Sequence, residues 1–238
     1  VTQTLPLDLV DERPILQIGS VRALLDTAAP LSLGDGSRLD LLDLDLVPPP
    51  RIGQFDLRAL RERIRGNIQA VLGADVLSKV RFLLDWDRGI ATFARTGLRL
   101  DGRSVSVSKT SGVPFVEAVC NHHAGDGFIG TGSRLSYTHP RFVRGLHPVA
   151  MAEDFYPGFG PFWTPVYRLR IELGGLEIES EFGLLPDKLD EAMRVSGTDW
   201  IFGSRLLRGG PVLFDLPASR IVLGRSAPFP SRAAWDLA

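Results

Sequence analysis

Two short stretches of this chain hold the residues whose types and spacing can do chemistry. In the first, Leu24-Leu25 precede Asp26-Thr27-Ala28-Ala29-Pro30-Leu31-Ser32; in the second, Phe128-Ile129 precede Gly130-Thr131-Gly132-Ser133-Arg134-Leu135-Ser136. An aspartate that ends an apolar strand is a candidate general base or acid, and the threonine after it carries a hydroxyl able to donate and accept. The second stretch repeats Thr, Leu and Ser in register but has glycine at the aspartate position, which offers nothing to a proton. All four histidines (His122, His123, His139, His147) and the single cysteine, Cys120, fall within 28 residues around that glycine. One reading is a replacement site, with His122 or His123 and Asp126 holding a metal or serving as acid to Asp26. The other is a polar hairpin turn, HHAGDG, with His139 a turn residue before Pro140. The spacing fits no zinc motif, so neither a metal nor a cofactor is expected, and Cys120 reads as a small buried hydrophobe.

Residues 146–167 (LHPVAMAEDFYPGFGPFWTPVY) are crowded with Pro, Gly and aromatics. They make the second half longer by about 26 residues, counting 130 to 203 against 26 to 73. Loops of this kind often carry function. Phe155, Tyr156, Phe159, Phe162 and Trp163 form either an aromatic wall against a ligand, with Tyr156, Phe159, Phe162 and Trp163 as the contacts, or packing of the loop onto its own half. Asp40, Asp43 and Asp45 alternate with leucine and read as a solvated strand face rather than a cation site.

The elements that must position these residues are mostly strands. Apolar segments are short and punctuated by Gly, Pro, Asp or Ser, as in ILQIGSV, RALLDT, IATFA, YRLRIEL and RIVL, the pattern of an all-β chain with many turns. Helical signals are few: Asp56–Asn67, with Leu57, Leu60 and Ile64 on one face and Asp56 as N-cap, and Asp187–Val195 after Pro186. The chain also repeats itself. Val71-Leu72-Gly73 is matched by Ile201-Phe202-Gly203, Asp85 and Asp215 each follow twelve residues later, and Phe93 and Leu223 end the next strands. Leu5-Pro6-Leu7 is read as the counterpart of Val113-Pro114-Phe115. These landmarks divide the chain into a first β lobe, 1–104, and a second, 105–238, joined through a connector in which SVSVS is itself a candidate strand.

Two apolar residues, Asp-Thr-Gly-Ser or a close variant, and an apolar-apolar-Gly tens of residues later mark a lobe of the aspartic peptidases of the pepsin and retropepsin kind. This chain resembles two such lobes in tandem, and LGADVLSKVRFLLDW is similar to bacterial retropepsin-like proteins. The resemblance implies a mainly β, two-lobed acid-protease fold with a few short helices. Asp26 and Thr27 then lie on one cleft loop and Gly130, Thr131, Gly132 and Ser133 on the loop opposite, the two threonines hold the loops together, and the two glycine segments buttress them. The family's chemistry uses two carboxylates about 3 Å apart, one per lobe, sharing a proton. Here the second is absent, so Asp26 is expected to titrate near the ordinary value of about 4. Ala28 stands where the family has glycine and requires a negative φ. The tyrosine of the pepsin covering hairpin has no first-lobe match, since Tyr137, Tyr156 and Tyr167 are all in the second half, and a flap from residues 39–55 is atypical.

Net charge of −1 and balanced Lys/Arg against Asp/Glu exclude a strong field for nucleic acid or an anionic surface. No apolar run reaches the ~20 residues of a membrane span, and the start VTQTLPLDLV has neither a basic nor an apolar signal region, so the chain reads as soluble with its compartment open. Three functions follow. The first is a hydrolase using Asp26 with a non-standard second group. The second is an inactive pseudo-peptidase that binds a peptide or small hydrophobic ligand between the lobes. The third is an enzyme repurposed for a small molecule through Asp26 with His122 or His123. The second lobe occupies the face that a partner's Asp26 would need, so the site is expected within a monomer.

Overall fold

The computed structural model describes residues 1–53, 55–157 and 159–224. The chain is mainly β. One sheet of ten strands runs, edge to edge, through Gly102–Ser106, Arg220–Gly224, Val212–Asp215, Arg81–Asp85, Ile90–Ala94, Thr2–Val10, Arg13–Ile18, Val21–Leu25, Ala70–Leu72 and Leu33–Gly34. A second, of eight strands, runs through Ser108–Thr110, Val113–Cys120, His123–Ile129, Trp200–Phe202, Ser136–Thr138, Leu176–Gly183, Gly160–Leu173 and Ala150–Tyr156. Residues 104 and 105, the expected boundary, fall inside the strand Gly102–Ser106, and the candidate strand SVSVS is divided between it and Ser108–Thr110 of the other sheet. Among the described residues no helix is long and apolar enough to cross a membrane.

The ladder registers run in parallel in the two halves. Val10 pairs Arg13 across the turn Asp11-Glu12, and Thr110 pairs Val113 across the turn Ser111-Gly112. Leu9 faces Pro14 as Lys109 faces Pro114. The counterpart of Val113-Pro114-Phe115 is therefore Arg13-Pro14-Ile15, and the sequence match to Leu5-Pro6-Leu7 is corrected. Both strands of the first hairpin carry a proline, Pro6 and Pro14, so the residue type alone does not choose between them. Further along, Thr2 pairs Ala94 and Gly102 pairs Gly224. The central contact joins Arg81–Asp85 to Val212–Asp215 antiparallel, with Leu83 opposite Leu213 and Phe82 opposite Phe214. The Phe82 and Phe214 rings stack 4.5 Å apart, and both are fully buried. Each such ring contributes about 2–3 kcal/mol by leaving water.

Helices are short, as expected, but differ in extent. Leu57–Arg61 starts where predicted, with the Asp56 side chain accepting the Arg58 N–H, and stops well before Asn67. Gly66 and Asn67 adopt positive φ (106° and 51°), which no helix tolerates, and Leu57 and Ile64 are buried against Ile15, Leu24 and Val71 all the same. The helix Asp187–Val195 matches its expected span. Two single-turn helices, Ala74–Leu77 and Ser204–Leu207, follow the two buttress glycines. Residues 146–167, read as a loop, instead form most of a hairpin between Ala150–Tyr156 and Gly160–Leu173. Alternation of its side chains is masked in sequence by prolines 157, 161 and 165, the last two of which face Phe155 and Met151 across the ladder.

Each buttress approaches its loop so closely that a side chain does not fit. A methyl on Gly73 would lie 2.7 Å from the Ala29 carbonyl oxygen, and one on Gly203 would lie 2.5 Å from the Leu135 carbonyl oxygen. The glycine N–H groups donate to Ser32 Oγ (2.9 Å) and Ser136 Oγ (3.0 Å), which accounts for the serine shared by the two stretches. Gly73→Ala and Gly203→Ala are each expected to lose about 3 kcal/mol of stability in urea denaturation, since the obstacles are backbone atoms that cannot rotate away. A loss below about 0.5 kcal/mol would refute the buttress role.

Candidate functional site

Val21–Leu25 and Ala70–Leu72 are parallel neighbours, as are His123–Ile129 and Trp200–Phe202. The Asp26 N–H donates to the Leu72 carbonyl and the Gly130 N–H to the Phe202 carbonyl, each at 3.0 Å, so both chemically interesting stretches are loops that leave a strand end tied to its neighbour. Between them lies a closed exchange. Thr27 Oγ1 donates to the Ile129 carbonyl (2.5 Å) and accepts the Thr131 N–H (3.1 Å); Thr131 Oγ1 donates to the Leu25 carbonyl (2.7 Å) and accepts the Thr27 N–H (3.1 Å). Both threonines are fully buried, so every polar group in the exchange has a partner.

This exchange brings the carboxyl of Asp26 against the opposite loop. Asp26 Oδ1 accepts N–H groups from Ala28 (2.9 Å) and Gly132 (3.2 Å). A methyl on Gly132 would overlap the carboxyl, so only glycine leaves room for it. In the reverse direction, a methyl on Gly130 would meet Ala28 Cβ at 3.0 Å. The two contacts are counterparts: glycine lies opposite a side chain at 26, and alanine lies opposite none at 130. Ala28 has a negative φ, as its identity requires. Asp26 is half-buried and lines a cavity. Burial raises its pKa above the ordinary value, outweighing the Ala28, Gly132 and Ala29 N–H groups and the Arg13 cation, which lower it. The expectation that a lone aspartate titrates normally is therefore overturned, because loss of water, rather than a like charge, sets the shift.

The cavity above Asp26 has a volume of about 740 Å³. One side is aliphatic, with Leu24, Leu33, Leu60, Ile64 and Val71; the other carries Phe115, Phe128, Tyr137, Tyr156 and Ser133. The hairpin Ala150–Tyr156/Gly160–Leu173 covers it from the second half, contributing Asp154, Phe155, Tyr156 and Pro157, while Ile52, Gly53 and Phe55 close it from the first. The pKa of the half-buried Tyr156 hydroxyl is raised by burial and by the Asp26 charge, a sign of their proximity. Beside them runs a buried polar chain. Arg13 donates through Nε to the Gly132 carbonyl (3.0 Å), through one amino group to Asp11 (2.5 Å) and through the other to Asp154 Oδ1 (3.3 Å). Asp154 Oδ2 accepts the Tyr137 hydroxyl at 2.7 Å, and burial, then Asp154, drive the Tyr137 pKa far upward.

The site residues expected from sequence divide accordingly. Asp26, Thr27, Gly130, Thr131, Gly132 and Ser133 come together in the two facing loops. Of the four aromatic candidates, Tyr156 lines the cavity; Phe162 packs towards Tyr137, and Phe159 and Trp163 are exposed. His122 and His123 stand exposed at the turn before the strand His123–Ile129, with Asp126 exposed along it. None of the three lines the cavity. At about 3.3 Å per strand residue, His123 is about 23 Å along the chain from Gly130, so no reach to Asp26 exists. His139 caps a single turn through Nδ1, and Cys120 is buried in the core. Asp43 pairs with Arg95 and Asp45 with Arg38 at the surface. Arg13, Asp154 and Tyr137 were not foreseen; the one available signal was an arginine preceding the proline that aligns with Pro114.

No protein-family model and no curated protein matches the chain. Solved structures do. Basic 7S globulin from soybean is similar over 95% of this chain and 95% of its own, with 12% identity and a TM-score of 0.55. The aspartic proteinase from Irpex lacteus is similar over 95% and 98%, with 12% identity and a TM-score of 0.53. The protease of simian foamy virus aligns with 38% of this chain and 88% of its own at 14% identity and a TM-score of 0.30, too low to carry an argument. The fold is that of the two-lobed aspartic proteinases.

The raised pKa of Asp26 has a consequence for stability. Between the ordinary carboxyl value of 3.8 and the raised value, the folded chain binds the proton that the unfolded chain has released, so stability falls as pH rises through this window and stays lowered above it. Asp26→Asn keeps the shape and the acceptor oxygen but cannot ionise. It is expected to melt above wild type at neutral pH, by about 2–4 °C for each kcal/mol relieved, and to match it below pH 3.8. Equal melting temperatures at all pH values would count against the raised Asp26 pKa.

Proposed function

We propose that this chain is a hydrolase on an aspartic-peptidase scaffold, internally duplicated, in which Asp26 acts without the usual second aspartate, whose position is taken by Gly130. The observation that carries this reading is the seat of Asp26: two N–H groups, one from each half, and a glycine that alone admits the carboxyl. One carboxyl can work twice in turn. As carboxylate it takes a proton from water while the water oxygen adds to the substrate carbonyl carbon and the carbonyl electron pair moves onto oxygen. When that pair returns and the bond to the leaving group breaks, the carboxylic acid gives the proton to the leaving group. The Tyr156 hydroxyl, in the same cavity, is a donor available to the oxyanion. The substrate is a peptide or a small apolar acyl compound, and esters should react better than amides because the leaving group needs less protonation. One chain supplies both loops, so no second copy is needed.

A binding module without hydrolysis is the second reading, favoured by the Ala28 methyl filling the space that a side chain at 130 would need. A small-molecule reaction through His122 or His123 has no support from the cavity lining.

Hydrolysis of a peptide mixture and of a panel of apolar nitrophenyl esters separates these readings. Asp26→Asn should lower turnover by about 10²–10⁴-fold, and the wild-type rate should rise with pH along a single limb as Asp26 ionises. Cleavage that survives Asp26→Asn ends the hydrolase proposal; no cleavage by either form, with equal thermal stabilisation of both by an apolar peptide, establishes the binding module.

The paired steric relation yields a further expectation. Gly130→Asp alone should destabilise the loops against Ala28, whereas Gly130→Asp with Ala28→Gly should fold like wild type and cleave peptides at least about 10²-fold faster. A double variant as unstable as the single one would contradict the pairing.

A further inference from the structure

The two halves differ at one more matched position in the cavity. The ladder registers align Arg13 with Val113, each following a two-residue turn and preceding a proline. Both line the cavity, but only Arg13 is polar. A buried guanidinium is costly, and an apolar residue of similar volume is often as good for stability, as the valine in the other half illustrates. What distinguishes the Arg13 side is its neighbours. Arg13 reaches Gly132, the residue that seats Asp26; Val113 belongs to the half whose opposite loop seats no carboxyl. We propose that Arg13 is the positioning residue of this site, the side chain that sets both the seat of Asp26 and the placement of the covering hairpin above it. This rests on the reading of Asp26 as the working group.

The geometry explains why one side chain does both. Its Nε–H fixes the Gly132 carbonyl, and the N–H of the same residue binds Asp26 Oδ1. Its other arm holds Asp154 on the covering hairpin, and Asp154 Oδ1 also accepts the N–H of Phe155 at 2.8 Å, one residue before Tyr156. Arg13 is 4% exposed and Asp154 7%, so neither bond is shared with bulk water. A guanidinium is a rigid planar fork, and its span fixes the gap between loop and hairpin; an ammonium would supply the charge without the span. The groups that face this guanidinium are Asp11, Asp26 and Asp154; Arg134 neutralises the other oxygen of Asp11 at 3.3 Å.

Arg13→Met, Arg13→Lys and Asp154→Asn test this in the ligand-free protein with two readouts. One is the titration of the Asp26 carboxyl by carbon-13 NMR, assigned by its absence in Asp26→Asn. The other is amide exchange of residues 150–166 compared with the central strand Arg81–Asp85. Arg13→Met should make Asp26 hold its proton more tightly, because a nearby cation is lost. Arg13→Met and Asp154→Asn should both speed hairpin exchange at least about tenfold with the central strand unchanged. Arg13→Lys should keep the Asp26 titration and lose the hairpin protection. If Arg13→Met does not fold, the lysine and asparagine variants decide alone. Hairpin exchange at the wild-type rate in both of these overturns the proposal, as does an equal rise in the central strand, which would make the role purely one of global stability. Neither readout uses turnover, so hydrolysis indifferent to Asp26→Asn would remove the chemistry while leaving this result standing.

Discussion

Thr27 and Thr131 each give a hydroxyl proton to a carbonyl of the other half and take an N–H from the other's loop, and the remaining geometry of the cleft is built around this exchange. Four hydrogen bonds in a fully buried place leave no tolerance, because any one partner removed strands another without water. They fix the spacing of two loops that belong to residues about a hundred apart in sequence. That spacing in turn decides what fits at 26, 28, 130 and 132. The threonines are therefore a constraint on side-chain volume several residues away, and chemistry is possible only within it.

Within that constraint the two loops are no longer equivalent. The Asp26 carboxyl is matched by the bare backbone of Gly132 and by the arginine that holds it; the bare Gly130 is matched by the methyl of Ala28. Read singly, Ala28 looks like damage to a loop that wants glycine. Read with its partner across the interface, it fills space left by an absent side chain. The covering hairpin follows the same asymmetry, coming from the half that lacks the aspartate and reaching over the half that has it.

Much of this was legible in the residues. Alternation, turn residues and the two Thr-x-x-x-Leu-Ser stretches point to a β fold with two facing loops, because local pattern and repetition report strand faces directly. The buttress glycines stood out since close backbone approach admits no other residue. The hairpin over the cavity was not legible: prolines on one face broke the alternation, and its pairing depends on Gly160–Leu173 reaching both Leu176–Gly183 and Ala150–Tyr156. Of the two readings of the clustered histidines, the polar hairpin turn is the one that the strand geometry favours. Nearness in sequence places His123 at one end of a strand and Gly130 just past the other, which in an extended chain is distance rather than contact. The Asp26 pKa does not follow from its neighbours in sequence because burial is a property of what folds around a residue, and the role of Arg13 is hidden because two of its partners, Gly132 and Asp154, lie more than a hundred residues away.

The ladder that joins Arg81–Asp85 to Val212–Asp215 also governs how the chain can come to its structure. A nascent chain that has reached residue 94 possesses all the strands of the first half, yet Arg81–Asp85 then lies at an open edge, with Phe82 lacking the Phe214 ring that covers it. That edge persists for more than a hundred further residues of synthesis, until Val212–Asp215 and Arg220–Gly224 arrive. Contacts of such sequence separation make folding slow, and an uncovered apolar edge is where chains pair with the wrong neighbour. The residues on that strand suggest how the wait is managed: Arg81 and Asp85 flank three apolar residues, so each end of the waiting edge carries a charge until Arg81 meets Asp215.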